Sequence, residues 1–142
     1  MKVLPTARIL IIDADATRRE STRTGLSLLG VGSVVEASSV DEAAVLPRTF
    51  DVVVVQAQSA DEIPDHPFRK SGEGIPAVMV AEGSSVFLTR AAGRGGYDAA
   101  VGLPLMPRLL YRRIGSVLQR ARRIQRPVSA NPTRELQPST TM

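Results

Sequence analysis

The sequence predicts an α/β fold: a doubly wound sheet of five parallel strands with helices on both faces. Three observations predict it. Short, wholly apolar runs recur along the chain, such as Ile9-Leu10-Ile11-Ile12 and Val52-Val53-Val54-Val55. Strands of that kind are buried on both faces. Between the runs lie segments that open with helix-capping residues and stop at glycine or proline. Strands therefore alternate with helices, and such crossovers imply a parallel sheet.

The first strand is expected at about 8–12, ending in the acid Asp13. Thr17-Arg18-Arg19-Glu20 has capping-box spacing and opens a helix that runs to Leu29 and stops at Gly30. A second strand covers about 31–36. Ser39-Val40-Asp41-Glu42 is another capping box, and its short helix ends before Pro47, which disfavours a helical residue in front of it. The third strand is expected at about 51–55, with Gln56 at its end. Pro64, Pro67, Gly72 and Gly74 leave room only for a short or broken helix, about 65–71. The fourth strand follows at about 77–81. Ser84 or Ser85 caps a helix that reaches about Arg94 and closes at Gly95-Gly96. The fifth strand, about 97–101, leads into a turn at Leu103-Pro104. The last helix, about 106–124, places Leu110, Ile114, Val117, Leu118 and Ala121 on one face and Arg108, Arg112, Arg120 and Arg123 on the other. Pro127 to Met142 reads as a disordered tail, so the folded domain is expected over 7–124 and the tail over 125–142.

The 142 residues favour one domain, with 43% hydrophobic and 23% charged residues as in globular chains. No run is long enough to span a bilayer, and Met1-Lys2-Val3-Leu4-Pro5 is too short for a signal peptide; a cytoplasmic protein is the expectation. With no cysteine, disulfides, thiolate catalysis and cysteine-ligated metals are excluded. The net charge of +4 is uneven. Residues 1–103 hold ten Lys/Arg against thirteen Asp/Glu, whereas 104–142 hold eight Arg against Glu135 alone.

The strand–helix order, the acid after the first strand, Phe50-Asp51 before the third, Gly96 before the fifth and the Leu103-Pro104 turn together resemble the receiver domain of bacterial two-component response regulators. The resemblance covers roughly residues 7–123. It implies a CheY-like, flavodoxin-type sheet of order 2-1-3-4-5 with active groups at the strand carboxyl ends. In that family an aspartate after the third strand accepts a phosphoryl group, and adjacent acids after the first strand hold a divalent cation. By the same resemblance, the acceptor position is Gln56. The acidic pair reads Asp13-Ala14, with Asp15 one place late. The hydroxyl position is Ala81, the lysine position Leu103 and the aromatic switch Ala100. An amide has no carboxylate to attack phosphorus, a methyl cannot follow a phosphoryl oxygen, and an isobutyl group cannot pair with one. The implied molecule is a receiver without its chemistry: not an enzyme, with no cofactor and no metal.

Asp13 and Asp15 read better as strand-end and helix-cap carboxylates than as a residual cation site. Gln56 reads as a hydrogen-bonded amide. His66 has no neighbouring histidine or cysteine to suggest a metal, and Gly93-Arg94-Gly95-Gly96 is a helix terminus, not a phosphate loop. The expected function is phosphorylation-independent protein contact in bacterial signalling, with a histidine kinase, another regulator or a second copy as partner. The resemblance carries the contact face onto the fourth helix, fifth strand and fifth helix, at Val86, Arg90, Tyr97, Arg108, Leu109, Tyr111 and Arg112. The alternative is a nucleic-acid-binding accessory protein that uses the arginines of the last helix.

Overall fold

The computed structural model describes residues 6–68 and 74–125, with side chains described as far as Ala121. Five strands form one parallel sheet: β1 (Arg8–Ile12), β2 (Ser33–Ala37), β3 (Val52–Ser59), β4 (Ala77–Glu82) and β5 (Ala99–Gly102). Their spatial order is β2-β1-β3-β4-β5, and each pairing is parallel. Helices α1 (Ala16–Leu28), α2 (Val40–Ala44) and α3 (Ser85–Gly95) connect β1 to β2, β2 to β3 and β4 to β5, and α4 (Pro107–Gln125) follows β5. A single 3₁₀ turn, Ala60–Glu62, follows β3.

Side chains that alternate along the strands divide the core into two layers. Ile9, Ile11, Val52, Val54, Val78, Val80 and Val101 pack with Leu26 of α1 and with Leu110, Ile114, Val117 and Leu118 of α4. Leu10, Ile12, Val53, Val55, Met79 and Ala81 pack with Ala43 of α2 and Leu88 and Ala92 of α3. The central strands carry unbroken apolar runs, Ile9–Ile12, Val52–Val55 and Ala77–Ala81, because both faces are covered there.

Several boundaries depart from the sequence reading, each for a local reason. Helix α1 is capped by Asp15, whose carboxylate accepts the Arg18 N–H, so Thr17 lies inside the helix and does not cap it. Val31 bonds back to the α1 carbonyl of Leu26, which delays β2 to Ser33. Strand β3 continues through Gln56 to Ser59; what ends at Gln56 is its regular register with β4, which shifts before Ser59. Tyr97 N–H is still bonded to Ala92 at the end of α3, and β5 begins only at Ala99. Ser39 and Ser84 cap α2 and α3 as their spacing implies. Gly96 ends α3 at φ +82°, a left-handed conformation that favours glycine.

No helix occupies 65–68, the described part of the short helix expected at about 65–71; the rest of that span, 69–71, lies outside the described residues. The backbone groups there are used otherwise. His66 N–H donates to Gly95, its Nδ1 accepts the Phe68 N–H, and its Nε2 stands 2.6 Å from the Ile75 carbonyl. The ring thus clips a loop together. The expected tail lies, from Arg126 onward, outside the described residues.

Candidate functional site

At the carboxyl end of the sheet, β1 and β3 bring Asp13 and Gln56 side by side beneath the first turn of α1. Asp13 is 1% exposed and Gln56 3%. Asp13 Oδ2 accepts Arg18 Nε at 2.6 Å and Gln56 Nε2 at 3.1 Å. Its Oδ1 accepts Arg18 Nη2 at 2.7 Å and the Asp15 N–H at 2.9 Å. Four donors fill the roughly four lone-pair positions of a carboxylate. The Arg18 contact is a bidentate fork of the kind that makes strong charge-assisted pairs. Arg18 also donates to Gln58 Oε1 at 3.2 Å and stands 3.9 Å from Asp15. Arg19 donates to the Asp13 carbonyl at 2.6 Å and pairs with Glu36, which also binds Arg23.

The electrostatics follow from these contacts. Asp13 at hydrogen-bond distance holds the Arg18 guanidinium even more firmly protonated than usual. The Arg18 backbone N–H holds the exposed Asp15 carboxyl below its ordinary value. Gln56 Oε1 is buried without a hydrogen-bond partner, because Nε2 is turned to Asp13.

An open cleft of about 550 Å³ lies over the cluster, lined by Asp13, Asp15, Arg18, Ser38, Gln56, Gln58 and Glu62 among others. Ala14 is exposed at its edge, and Ala81 is buried in the layer beneath α3. Ala100 is half-buried on β5, and Leu103 follows at a cis Leu103-Pro104 peptide, packed against the α4-side core. The expected positions therefore gather at one end of the sheet, but the charged centre is Asp13 with Arg18. Sequence reading missed Arg18. Its signal was two arginines in the first turn of a helix, where the dipole disfavours cations unless acids face them.

The fold family implies a divalent cation at this end of the sheet, and the donor set here does not fit one. Every oxygen position of Asp13 is taken, Gln56 presents its amide nitrogen to the acid, and the Arg18 guanidinium is forked onto the same carboxylate. Among the described residues no group of three or more His, Asp or Glu could hold a metal ion.

On the other flank, α3, β5 and α4 enclose an open groove of about 700 Å³, lined by Thr89, Ala92, Asp98, Arg113, Ser116 and Arg120 among others. Val86 is 61% exposed at the start of α3, and Arg90, Arg108 and Arg112 are exposed. Leu109 and Tyr111 are half-buried against the core. Tyr97 lines the groove from within and offers it little surface. It is 7% exposed, donates to the Pro64 carbonyl at 2.7 Å and stacks on His66 at 5.8 Å. Arg113 lines the groove as well and was not among the expected residues; its spacing of three and seven from Ser116 and Arg120 was the available signal.

With this geometry in view, comparison with known proteins decides the fold. Neither a protein-family model nor a curated protein matches the sequence. Solved structures do. A CheY-like receiver domain protein from Methanospirillum hungatei JF-1 aligns over 83% of this chain and 98% of its own, at 24% identity and TM-score 0.65. The fold is that of a receiver domain. A two-component response regulator from Clostridium difficile aligns over 80% of this chain and 97% of its own, at 22% identity and TM-score 0.64. A pilus assembly-related protein from Burkholderia pseudomallei aligns over 84% and 94%, at 16% identity and TM-score 0.66. The receiver fold is thus found here with an arginine–aspartate–glutamine cluster at the carboxyl end of its sheet. Among the described residues no helix is long and apolar enough to cross a membrane.

Proposed function

We propose that this chain is a receiver-fold signalling module of the cytoplasm that works without phosphorylation. It acts not as an enzyme but through contact of its α3–β5–α4 face with another signalling protein: a kinase, a regulator or a second copy. The observation that carries this reading is Gln56. At the position where the resemblance asks for a phosphoryl acceptor, a buried amide donates to Asp13. Ala14, Ala81 and Leu103 put no acid next to Asp13, no hydroxyl and no lysine at the positions where the resemblance asks for them. The likeness to a pilus assembly-related protein supports a use of this fold outside proteins named as response regulators. The exposed Val86, Arg90, Arg108 and Arg112, beside an arginine-lined groove, support the choice of face.

One experiment in two arms tests the proposal. Acetyl phosphate with Mg²⁺ is expected to leave the intact mass unchanged, and a phosphoryl adduct on any aspartate overturns the reading. In the second arm, proteins captured from the native cytoplasm with nuclease present are compared for the parent and for the Arg112→Glu, Arg120→Glu variant. The variant should fold normally and lose a specific protein complex. Micromolar binding of oligonucleotides near physiological salt, falling by about 0.9 decades per phosphate contact for each tenfold rise in salt, instead promotes nucleic acid as the partner.

A further inference from the structure

A carboxylate buried at the end of a central strand is strongly unfavourable unless cations or donors meet it. Asp13 is in that position, and Arg18 meets it with a planar fork at 2.6 and 2.7 Å. The same guanidinium reaches Gln58 on β3 and approaches Asp15, the cap of α1. It therefore ties together the end of β1, the end of β3 and the start of α1, the oxygen-bearing groups that a shared cation would join. Arg19 adds a second guanidinium on the Asp13 carbonyl. Two arginines in the first turn stand against the helix dipole, and the acids explain why they are tolerated.

We propose that Arg18 is a built-in counter-ion that takes the place of a divalent cation, so that the strand-end cluster keeps one geometry with or without Mg²⁺. The proposal deepens the reading of Gln56 as an uncharged site position, and it is independent of which partner the α3–β5–α4 face binds. Asp13 is satisfied without metal, and a bound dication would have to displace a bidentate guanidinium that carries its charge at no loss of translational freedom.

Melting curves and amide spectra test it. With 10 mM Mg²⁺ or with EDTA at matched ionic strength, the parent is expected to melt at the same temperature. The amides of residues 13–15 and 56–58 should not move. Arg18→Met is expected to lower the melting temperature by about 5–10 °C, since it leaves a buried acid unpaired. Mg²⁺, but not Na⁺ of equal ionic strength, should recover part of that loss. Adding Asp13→Asn to Arg18→Met should also recover part of it, whereas Asp13→Asn alone destabilises the parent. A Mg²⁺ response in the parent overturns the proposal. So does an Arg18→Met variant as stable as the parent, or one that neither Mg²⁺ nor Asp13→Asn improves. Should Arg18→Met not fold, the double variant must still fold, and its failure counts against the proposal equally. Phosphorylation of the parent would overturn the preceding functional reading, whereas a Mg²⁺ shift without phosphorylation overturns this one alone.

Discussion

Gln56 is held on one side only. Its amide nitrogen donates to Asp13 at 3.1 Å, while its carbonyl oxygen is buried with no partner. Replacing it with aspartate would set two carboxylates together in a site with no lysine. Desolvation and like charge would raise the new group's pKa above its unfolded value. The sign follows directly: the protonated acid is tolerated at low pH, and the penalty grows as pH rises through and above the unfolded value. Gln56→Asp is therefore expected to lose about 2–3 kcal/mol at pH 7, with a smaller deficit relative to the parent at pH 5. Thermal melts at the two pH values measure this. Equal stability at pH 7, or rapid Mg²⁺-dependent phosphorylation, would show that the neighbouring losses do not matter as argued. At this scale Asp13 was legible as the acid that closes an apolar run, and Gln56 as the polar residue that follows one, although β3 continues past it to Ser59. Arg18 stayed hidden. Which first-turn side chain reaches back to a strand end depends on where the helix starts, and the cap proved to be Asp15 and not Thr17.

Among elements, the least regular connection is the one between β3 and β4. Its described part is fastened by Tyr97, whose hydroxyl donates to Pro64 and whose ring stacks on His66. Burial pushes the Tyr97 hydroxyl well above its ordinary value of 10.0. A group with a raised folded pKa gives stability that is fully present below the unfolded value and lost as pH rises toward the folded one. Stability is therefore expected to fall above about pH 10, the ordinary tyrosine value. Tyr97→Phe should remove part of that alkaline loss while costing about 1 kcal/mol at neutral pH, where Pro64 loses its donor. Urea midpoints of parent and variant at pH 8 and pH 11 check both effects; an identical alkaline fall would deny Tyr97 this role. Helices α2 and α3 were legible because Ser39 and Ser84 satisfy free amides at fixed spacing. The β3–β4 connection was not, because His66 and Tyr97 work there through contacts distant in sequence.

For the whole molecule, order 2-1-3-4-5 came to the sequence reading through resemblance, while the alternation of strands and helices came from apolar runs alone. The two-layer core explains why the reading succeeded: strands covered on both faces carry long apolar runs, and so they announce themselves. The Asp13–Arg18 pair has a consequence for the order in which the chain assembles. Its partners are five residues apart, whereas Gln56 lies forty-three residues from Asp13. Closing the short loop costs far less chain entropy than waiting for β3. The acid can thus be neutralised when α1 first docks on β1, before the centre of the sheet is complete. On this view Arg18→Met slows refolding by nearly its full equilibrium loss, whereas Gln56→Ala chiefly hastens unfolding. Chevron plots separate the two, and equal refolding rates for parent and Arg18→Met would place the pairing late. A side chain that quiets a buried charge in the finished domain would then also set the speed at which the domain forms.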